Sequence, residues 1–245
     1  MRLLALLVML ASLAAAESRT PVVVELFTSE GCSSCPPADR LLAQLDHSQP
    51  ISGVEIIALE QHVDYWDRLG WTDPYSSPAL TLRQQAYATA LHSDNIYTPQ
   101  MVVNGRAEFI GSDAGRASQE IERASRSPHA NVAVSAGSGN VLRLRVDQLP
   151  PLHLTDKVDV LLAVTETHLS DDVKRGENAG HRLGHAAVVR SLTKVGTIDP
   201  RRAGGFSMDV KLSLAKEWRR ENLRAVLLVQ ERRNRRILGA ASTGL

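Results

Sequence analysis

The sequence predicts an α/β fold: a domain built on a βαβ unit over residues 20–127, followed by a β-sandwich domain over 129–245. Three observations predict it. A β-branched run at 21–27 is followed by a polar turn, a helix-patterned stretch and a second apolar run at 54–59. Past Pro128 the texture changes to short apolar runs separated by turns. The 245 residues are 43% hydrophobic and 22% charged, which suits packed domains and excludes a disordered chain.

The chain opens on Arg2, an apolar run at 3–13 broken only by Ser12, and the small residues Ala14, Ala15 and Ala16. That is the layout of a secretory signal peptide over residues 1–16. The run falls short of the ~20 residues a membrane helix needs, although a retained N-terminal anchor is the alternative. Loss of residues 1–16 removes Arg2 alone and takes the net charge from +1 to 0. A neutral chain exerts no long-range pull on nucleic acid or anionic lipid. The mature protein is therefore expected to be periplasmic or secreted, with no nucleic-acid partner and no stable membrane insertion, in a compartment where disulfides persist.

Residues 21–27 read as a buried strand and 28–34 as a turn; Pro36 and Pro37 then suit the first turn of a helix carrying Leu41, Leu42 and Leu45. A parallel strand at 54–59 completes the βαβ unit. Residues 60–95 depart from simple alternation and read as an insertion, with a loop over 61–74 and a helix over 78–91. Residues 98–105 form a strand entered through Pro99 and left through an Asn104-Gly105 hairpin turn, with 106–110 as its partner. A helix over 113–125 closes this half. Strands then follow at 132–134, 141–146, 158–166, 188–192, 206–212, 223–231 and 236–241. The arginine-rich run 232–236 lies in a hairpin turn and reads as solvated.

The two cysteines, Cys32 and Cys35, are spaced Cys-x-x-Cys between a strand and a helix. So short a loop restricts the unfolded chain little, so the pair reads as reactive rather than as a staple. Unpaired N–H groups and the helix dipole stabilise a thiolate at a helix start. Cys32 is the expected nucleophile and Cys35 the resolving thiol. A structural disulfide is the competing reading; a zinc site on the pair lacks two further ligands, so neither metal nor cofactor is expected. Thr98 and Pro99 open a strand that returns toward the pair. Glu25 is an acid inside an apolar strand, where burial raises a carboxyl pKa and fits it to pass a proton to Cys35. The loop with His62, Asp64, Tyr65, Trp66 and Trp71 leaves the carboxyl end of a strand beside the cysteine turn, where ligands of parallel sheets sit. His62, Asp64, Trp66, Trp71 and Thr98 are the expected substrate contacts, or else a loop core. The glycine-rich segment 175–185, with Glu177, Asn178, His181 and His185, reads as a solvated loop.

Four stretches together resemble a family of exported bacterial proteins with a thioredoxin-like domain, catalogued as domain of unknown function 1223. They are residues 24–39 around Gly31-Cys32-Ser33-Ser34-Cys35-Pro36-Pro37, His62-Val63-Asp64-Tyr65-Trp66-Asp67, Tyr97-Thr98-Pro99-Gln100, and Gly176-Glu177-Asn178-Ala179-Gly180. The resemblance implies a thioredoxin-like first domain, with Cys32, Cys35 and Pro99 similar to that superfamily's nucleophile, resolving cysteine and cis-proline. Glu25 resembles its buried acid but stands seven rather than six residues before the first cysteine. Gly31 replaces the tryptophan that often precedes that cysteine.

These readings together predict an exported thiol–disulfide oxidoreductase. Its partners would be a thiol- or disulfide-bearing protein substrate and an unknown redox partner. Two alternatives stay open: a copper-handling protein using Cys32, Cys35 and His62, and an interaction module whose disulfide is incidental.

Overall fold

Period-two alternation sorts the first strand by face. In β1 (Thr20–Thr28), Val22, Val24 and Leu26 turn to one side and Val23, Glu25 and Phe27 to the other. The computed structural model describes residues 19–152, 156–202 and 204–245, so the expected export segment 1–16 lies outside the described residues. α1 (Pro36–Ser48) starts on two prolines and buries Ala38, Leu42 and Leu45 against the Val22 face. β2 (Val54–His62) pairs parallel with β1 from Thr20↔Val54 to Thr28↔His62. α2 (Pro78–Leu91), capped by the Ser77 side chain, covers the opposite face through Leu80 and Tyr87.

β3 (Gln100–Val103) and β4 (Ala107–Ile110) form a hairpin across Asn104-Gly105, and β3 runs antiparallel to β1. The turn places both Asn104 and Gly105 at positive φ, where these residue types are favoured. α3 (Ala114–Ser125), capped by Asp113, returns to the α1 face through Ala117 and Ile121.

The later strands do not stand apart as the separate unit the sequence reading draws. Those strands are β5 (Asn131–Ala136), β6 (Val141–Asp147), β7 (Val158–Glu166), β8 (Leu169–Asp172), β9 (Arg182–His185), β10 (Val188–Ile198), β11 (Phe206–Lys211), β12 (Leu223–Glu231) and β13 (Ile237–Gly244). Four of them extend the first sheet into one mixed eight-stranded sheet, ordered β13-β12-β7-β10-β2-β1-β3-β4. The physical reason is visible in β7 and β12, which are buried on both faces and so take central places in a sheet covered on both sides. The three-stranded sheet β11-β6-β5 packs Leu142, Leu144 and Val146 onto Val160, Leu162, Leu227 and Val229, on the same face as α1. The small sheet thus forms a layer on part of the large one, which is continuous with β1–β4. The halves are stitched where β10 meets β2, at Val188↔Glu60 and through Glu60 N–H donating to the Ala187 carbonyl at 2.9 Å.

Candidate functional site

The turn leaving β1 tightens through Cys32 N–H to Ser29 O at 3.1 Å and Cys35 N–H to Cys32 O at 3.2 Å. Cys35, with helical φ and ψ, is the N-cap of α1. The two Cα atoms are 5.4 Å apart with the sulfurs at disulfide-bonding distance. Cys32 Sγ lies 3.3 Å from Ser34 Oγ. The environment differs from the expected row of free N–H donors. Pro36 and Pro37 have no N–H, and Ser33 N–H donates to Glu177 Oε2 at 3.0 Å. What remains to favour a thiolate at Cys32 is the helix dipole and the Ser34 hydroxyl, opposed by the nearby Glu177 carboxylate.

Both cysteines are fully buried. The cover comes from the C-terminal half. Asn178 Nδ2 donates to Glu30 O at 2.8 Å and to Cys32 O at 2.9 Å. The 175–185 segment is therefore no simple solvated loop: Asn178 and His185 are buried, and Asn178 seals the cysteine turn. On the other side, Trp66 fills the space a side chain at Gly31 would need, its Cβ 3.1 Å from where a Cβ at Gly31 would stand. Trp66 Nε1 donates to Thr98 Oγ1 at 2.8 Å. The Thr98–Pro99 peptide is cis. Pro99 and Ala38 both crowd Gly111, which puts Pro99 beside the first turn of α1. Cys32, Cys35, Trp66, Thr98 and Pro99 are thus brought together.

Glu25 is not brought to Cys35. It points to the α2 face of the sheet, whereas Ala38, Leu42 and Leu45 anchor α1 on the other. Its carboxylate accepts from Arg83 Nε at 2.6 Å and Nη2 at 3.0 Å, and from Tyr87 and Gln61. Arg83 also donates to Gln230 in β12, so this pair ties α2 to two strands. The one-residue offset in the sequence is the reason, because a single step along a strand changes its face. The acid on the α1 side is Asp39, one helical turn after Cys35. It is buried, accepts from Thr28 Oγ1 at 2.6 Å, and is pushed up to about 7 by burial and by the Glu60 carboxylate. Sequence reasoning missed it because a single Asp early in a helix looks like a dipole complement.

His62 and Trp71 belong to a second, adjoining cluster. Glu30 accepts from Trp71 Nε1 at 2.7 Å, and Glu30 N–H donates to Asp73 Oδ2 at 2.8 Å. His62 Nδ1 is 2.7 Å from the same Asp73 oxygen, and His62 Nε2 is 3.3 Å from Glu60 Oε1. His185 Nδ1 meets Glu60 Oε1 at 2.7 Å and its Nε2 meets Glu30 Oε1 at 3.1 Å. Burial alone would lower both imidazoles; the carboxylates outweigh it and hold His62 at about 9 and His185 at about 11. Burial likewise works to raise Glu60, and His185 and His62 overcome it to hold that carboxyl at about 2. Tyr75 lies edge-on to both imidazoles, with centroids 5.3 and 5.6 Å away. Asp64 is elsewhere: its backbone and carboxylate bond Thr81 in α2. Glu30, Glu60, Asp73 and Tyr75 left no motif in the sequence, since they come from three separated segments.

The sequence matches the model of a family described as "Protein of unknown function (DUF1223)" over residues 23–230. No curated protein matches it. Among solved structures, an Agrobacterium tumefaciens protein known from an X-ray crystal structure is similar, with a TM-score of 0.73 and 27% sequence identity. That similarity covers 91% of this chain and 94% of the other, so it extends over both halves.

Proposed function

Because the chain belongs to the DUF1223 family, whose description carries no activity, its chemistry must come from its own residues, and we propose that it is an exported thiol–disulfide oxidoreductase acting through Cys32 and Cys35. The observation that carries this is the pairing of both sulfurs at the very start of α1, between that helix and the Thr98–Pro99 segment. On this reading β1–β4 with α1 and α3 are a thioredoxin-like core. The β11-β6-β5 sheet and the strands beneath it are the sandwich that supports the covering loop.

From the disulfide state the step runs as follows. A substrate thiolate attacks Cys32 Sγ, the Cys32–Cys35 bond breaks, and Cys35 leaves as a thiolate. Asp39, neutral below about pH 7, stands one turn along α1 and gives Cys35 its proton. A second substrate thiol then attacks the substrate sulfur of the mixed disulfide and releases Cys32. The substrate departs oxidised by two electrons, and the pair is left reduced until a disulfide-bearing partner reoxidises it. The buried Cys32 makes this a gated reaction, because the Asn178 loop or Trp66 must move before a substrate sulfur reaches it.

Trapping tests the reading. Cys35→Ser, challenged with a disulfide-bearing test protein, accumulates a Cys32-linked mixed disulfide as one test-protein thiol is released; no adduct would overturn the proposal. The copper reading loses its histidine, since both His62 ring nitrogens face carboxylates rather than the sulfurs.

A further inference from the structure

We propose that Glu60, His62 and His185 form a binding site for one divalent transition metal of the zinc type, separate from the cysteine pair. Ligand atoms of the three residues lie within 4.8 Å of one another, and all three side chains are buried. A buried polar cluster normally satisfies its own hydrogen bonds. This one does not: His62 Nε2 is buried without a hydrogen-bond partner among the described residues. It faces Glu60 Oε1 at 3.3 Å without making that bond. Both nitrogens of His185 and His62 Nδ1 have close partners, whereas His62 Nε2 stands at ion-pair distance from Glu60 without a hydrogen bond.

Two of the three donor–donor edges suit a shared cation, and the third, between the two imidazoles, lies within 4.8 Å. Bonds of about 2.0 Å in a tetrahedral site set neighbouring donors about 3.3 Å apart. The His62–Glu60 edge has that length already. The His185–Glu60 edge, at 2.7 Å, is a hydrogen bond that the metal would replace, opening it by about 0.6 Å. Two imidazoles and one carboxylate are a ligand set suited to zinc, with one position left over.

The outer atoms fit as well. A metal-bound imidazole generally donates its other N–H to a carboxylate, which fixes the tautomer. With metal on His62 Nε2, the Nδ1 proton stays on Asp73 at 2.7 Å. With metal on His185 Nδ1, the Nε2 proton stays on Glu30 at 3.1 Å. Glu60 Oε2 is meanwhile held by the Ala186 N–H at 2.8 Å, which leaves Oε1 to the cluster. The metal takes the place of one proton on each inward ring nitrogen, and those protons leave to solvent. Because the site joins β2 to the end of β9, the cation would bind across the seam between the two halves.

The test uses the full mature chain, stripped with chelator, refolded with Zn²⁺ and freed of loose metal by gel filtration. The expected result is one Zn²⁺ per chain by elemental mass spectrometry, unchanged in the Cys32→Ser/Cys35→Ser double variant. His62→Gln and Glu60→Gln should each weaken retention by at least about 100-fold, more than the loss of an outer partner costs. Because either variant can weaken folding, Asp73→Asn is the second probe; it keeps the side chain's size and one acceptor oxygen for Glu30 and His62, at the expense of the Tyr75 N–H bond, and lowers affinity about 10–100-fold. Co²⁺ in place of Zn²⁺ should give the intense visible bands of tetrahedral coordination without a thiolate charge-transfer band. Absent stoichiometric metal, equal retention by His62→Gln, or loss of metal in the double cysteine variant would each overturn the site. None of these outcomes bears on mixed-disulfide trapping, so the two proposals fail separately.

Discussion

Asn178 illustrates how much a single side chain controls here. It comes from a loop 146 residues away from Cys32, yet its two hydrogen bonds close the turn that carries the Cys32 sulfur. Asn178→Ala leaves the buried Glu30 carbonyl without a donor and the Cys32 carbonyl with the Cys35 N–H alone, at a cost of about 1–3 kcal/mol. The proposed gating turns that cost into a rate. Reduction of the Cys32–Cys35 bond by dithiothreitol should accelerate about tenfold in Asn178→Ala, one decade for roughly 1.4 kcal/mol of opening. Stopped-flow tryptophan fluorescence follows it, and an unchanged rate would show that this loop is not the gate. Glu25 makes the complementary case. Arg83→Leu strands its buried carboxylate and should cost about 3–5 kcal/mol in urea unfolding, whereas Glu25→Leu/Arg83→Leu should cost much less. Glu25→Gln should leave disulfide exchange unchanged; a slower exchange would restore the proton role that the strand's facing denies it.

At the scale of elements, α1 and its N-cap carry both the proposed resolving cysteine and its proposed proton donor. Cys35 and Asp39 lie one turn apart, with Asp39 N–H bonded to the Cys35 carbonyl at 3.1 Å. The Asp39 carboxyl is raised by burial and by Glu60 from an ordinary 3.8 to about 7. A raised folded value means that the neutral form is the one the fold favours. The stability this contributes is full below about pH 4 and is lost as pH climbs through 7, where a charge appears beside Glu60. Asp39→Asn should therefore hold its urea midpoint between about pH 4.5 and 6, below the range where His62 and His185 lose their own contribution, while the wild type declines. The same titration governs chemistry: at fixed thiolate concentration, wild-type reduction should slow above pH 7. Asp39→Asn should be flat with pH and about 100-fold slower at pH 6. A wild-type decline that persists in Asp39→Asn would assign the titration elsewhere.

What was legible at this scale follows from local rules. The Cys32 turn, the prolines opening α1, the Asn104-Gly105 hairpin and the two-faced apolar runs of β7 and β12 are all written in adjacent residues. The Asp39 role, the Glu30–His185 contact and the Asn178 seal are not. Each depends on which strand lies beside which: Asp39 on β2 bringing Glu60 under α1, the other two on contacts across more than a hundred residues, none of which leaves a periodic trace. For the same reason the change of texture at Pro128 looked like a domain boundary, although β10 joins β2 in the same sheet.

At the scale of the whole molecule, that join decides whether the chain folds as one unit. Backbone pairing across it is slight, Val188 with Glu60 and the Ala187 carbonyl with Glu60 N–H. One further backbone bond, from Ile237 N–H to the Asn104 carbonyl at 2.9 Å, joins the halves, and side chains add to it: His185 bridges Glu60 and Glu30, Asn178 reaches the cysteine turn, Gln230 meets Arg83 and Tyr87, and Ala187 enters the core under α1. A fragment ending at residue 127 would keep β1–β4 and three helices but strip the partner from two buried carboxylates and uncover the edge of β2. Uncompensated buried charge of that kind costs several kcal/mol per group, comparable with the whole stability of a domain of that size. The fragment 17–127 should therefore lack a cooperative urea transition by near-UV circular dichroism, in which Trp66 and Trp71 report. Adding the fragment 128–245 in equal amount should restore that transition and, if the seam is what holds the halves together, should do so less well when it carries His185→Ala. A sharp transition in 17–127 alone, with the steepness its surface area demands, would mean that the N-terminal half is an independent domain and that its buried acids find other partners.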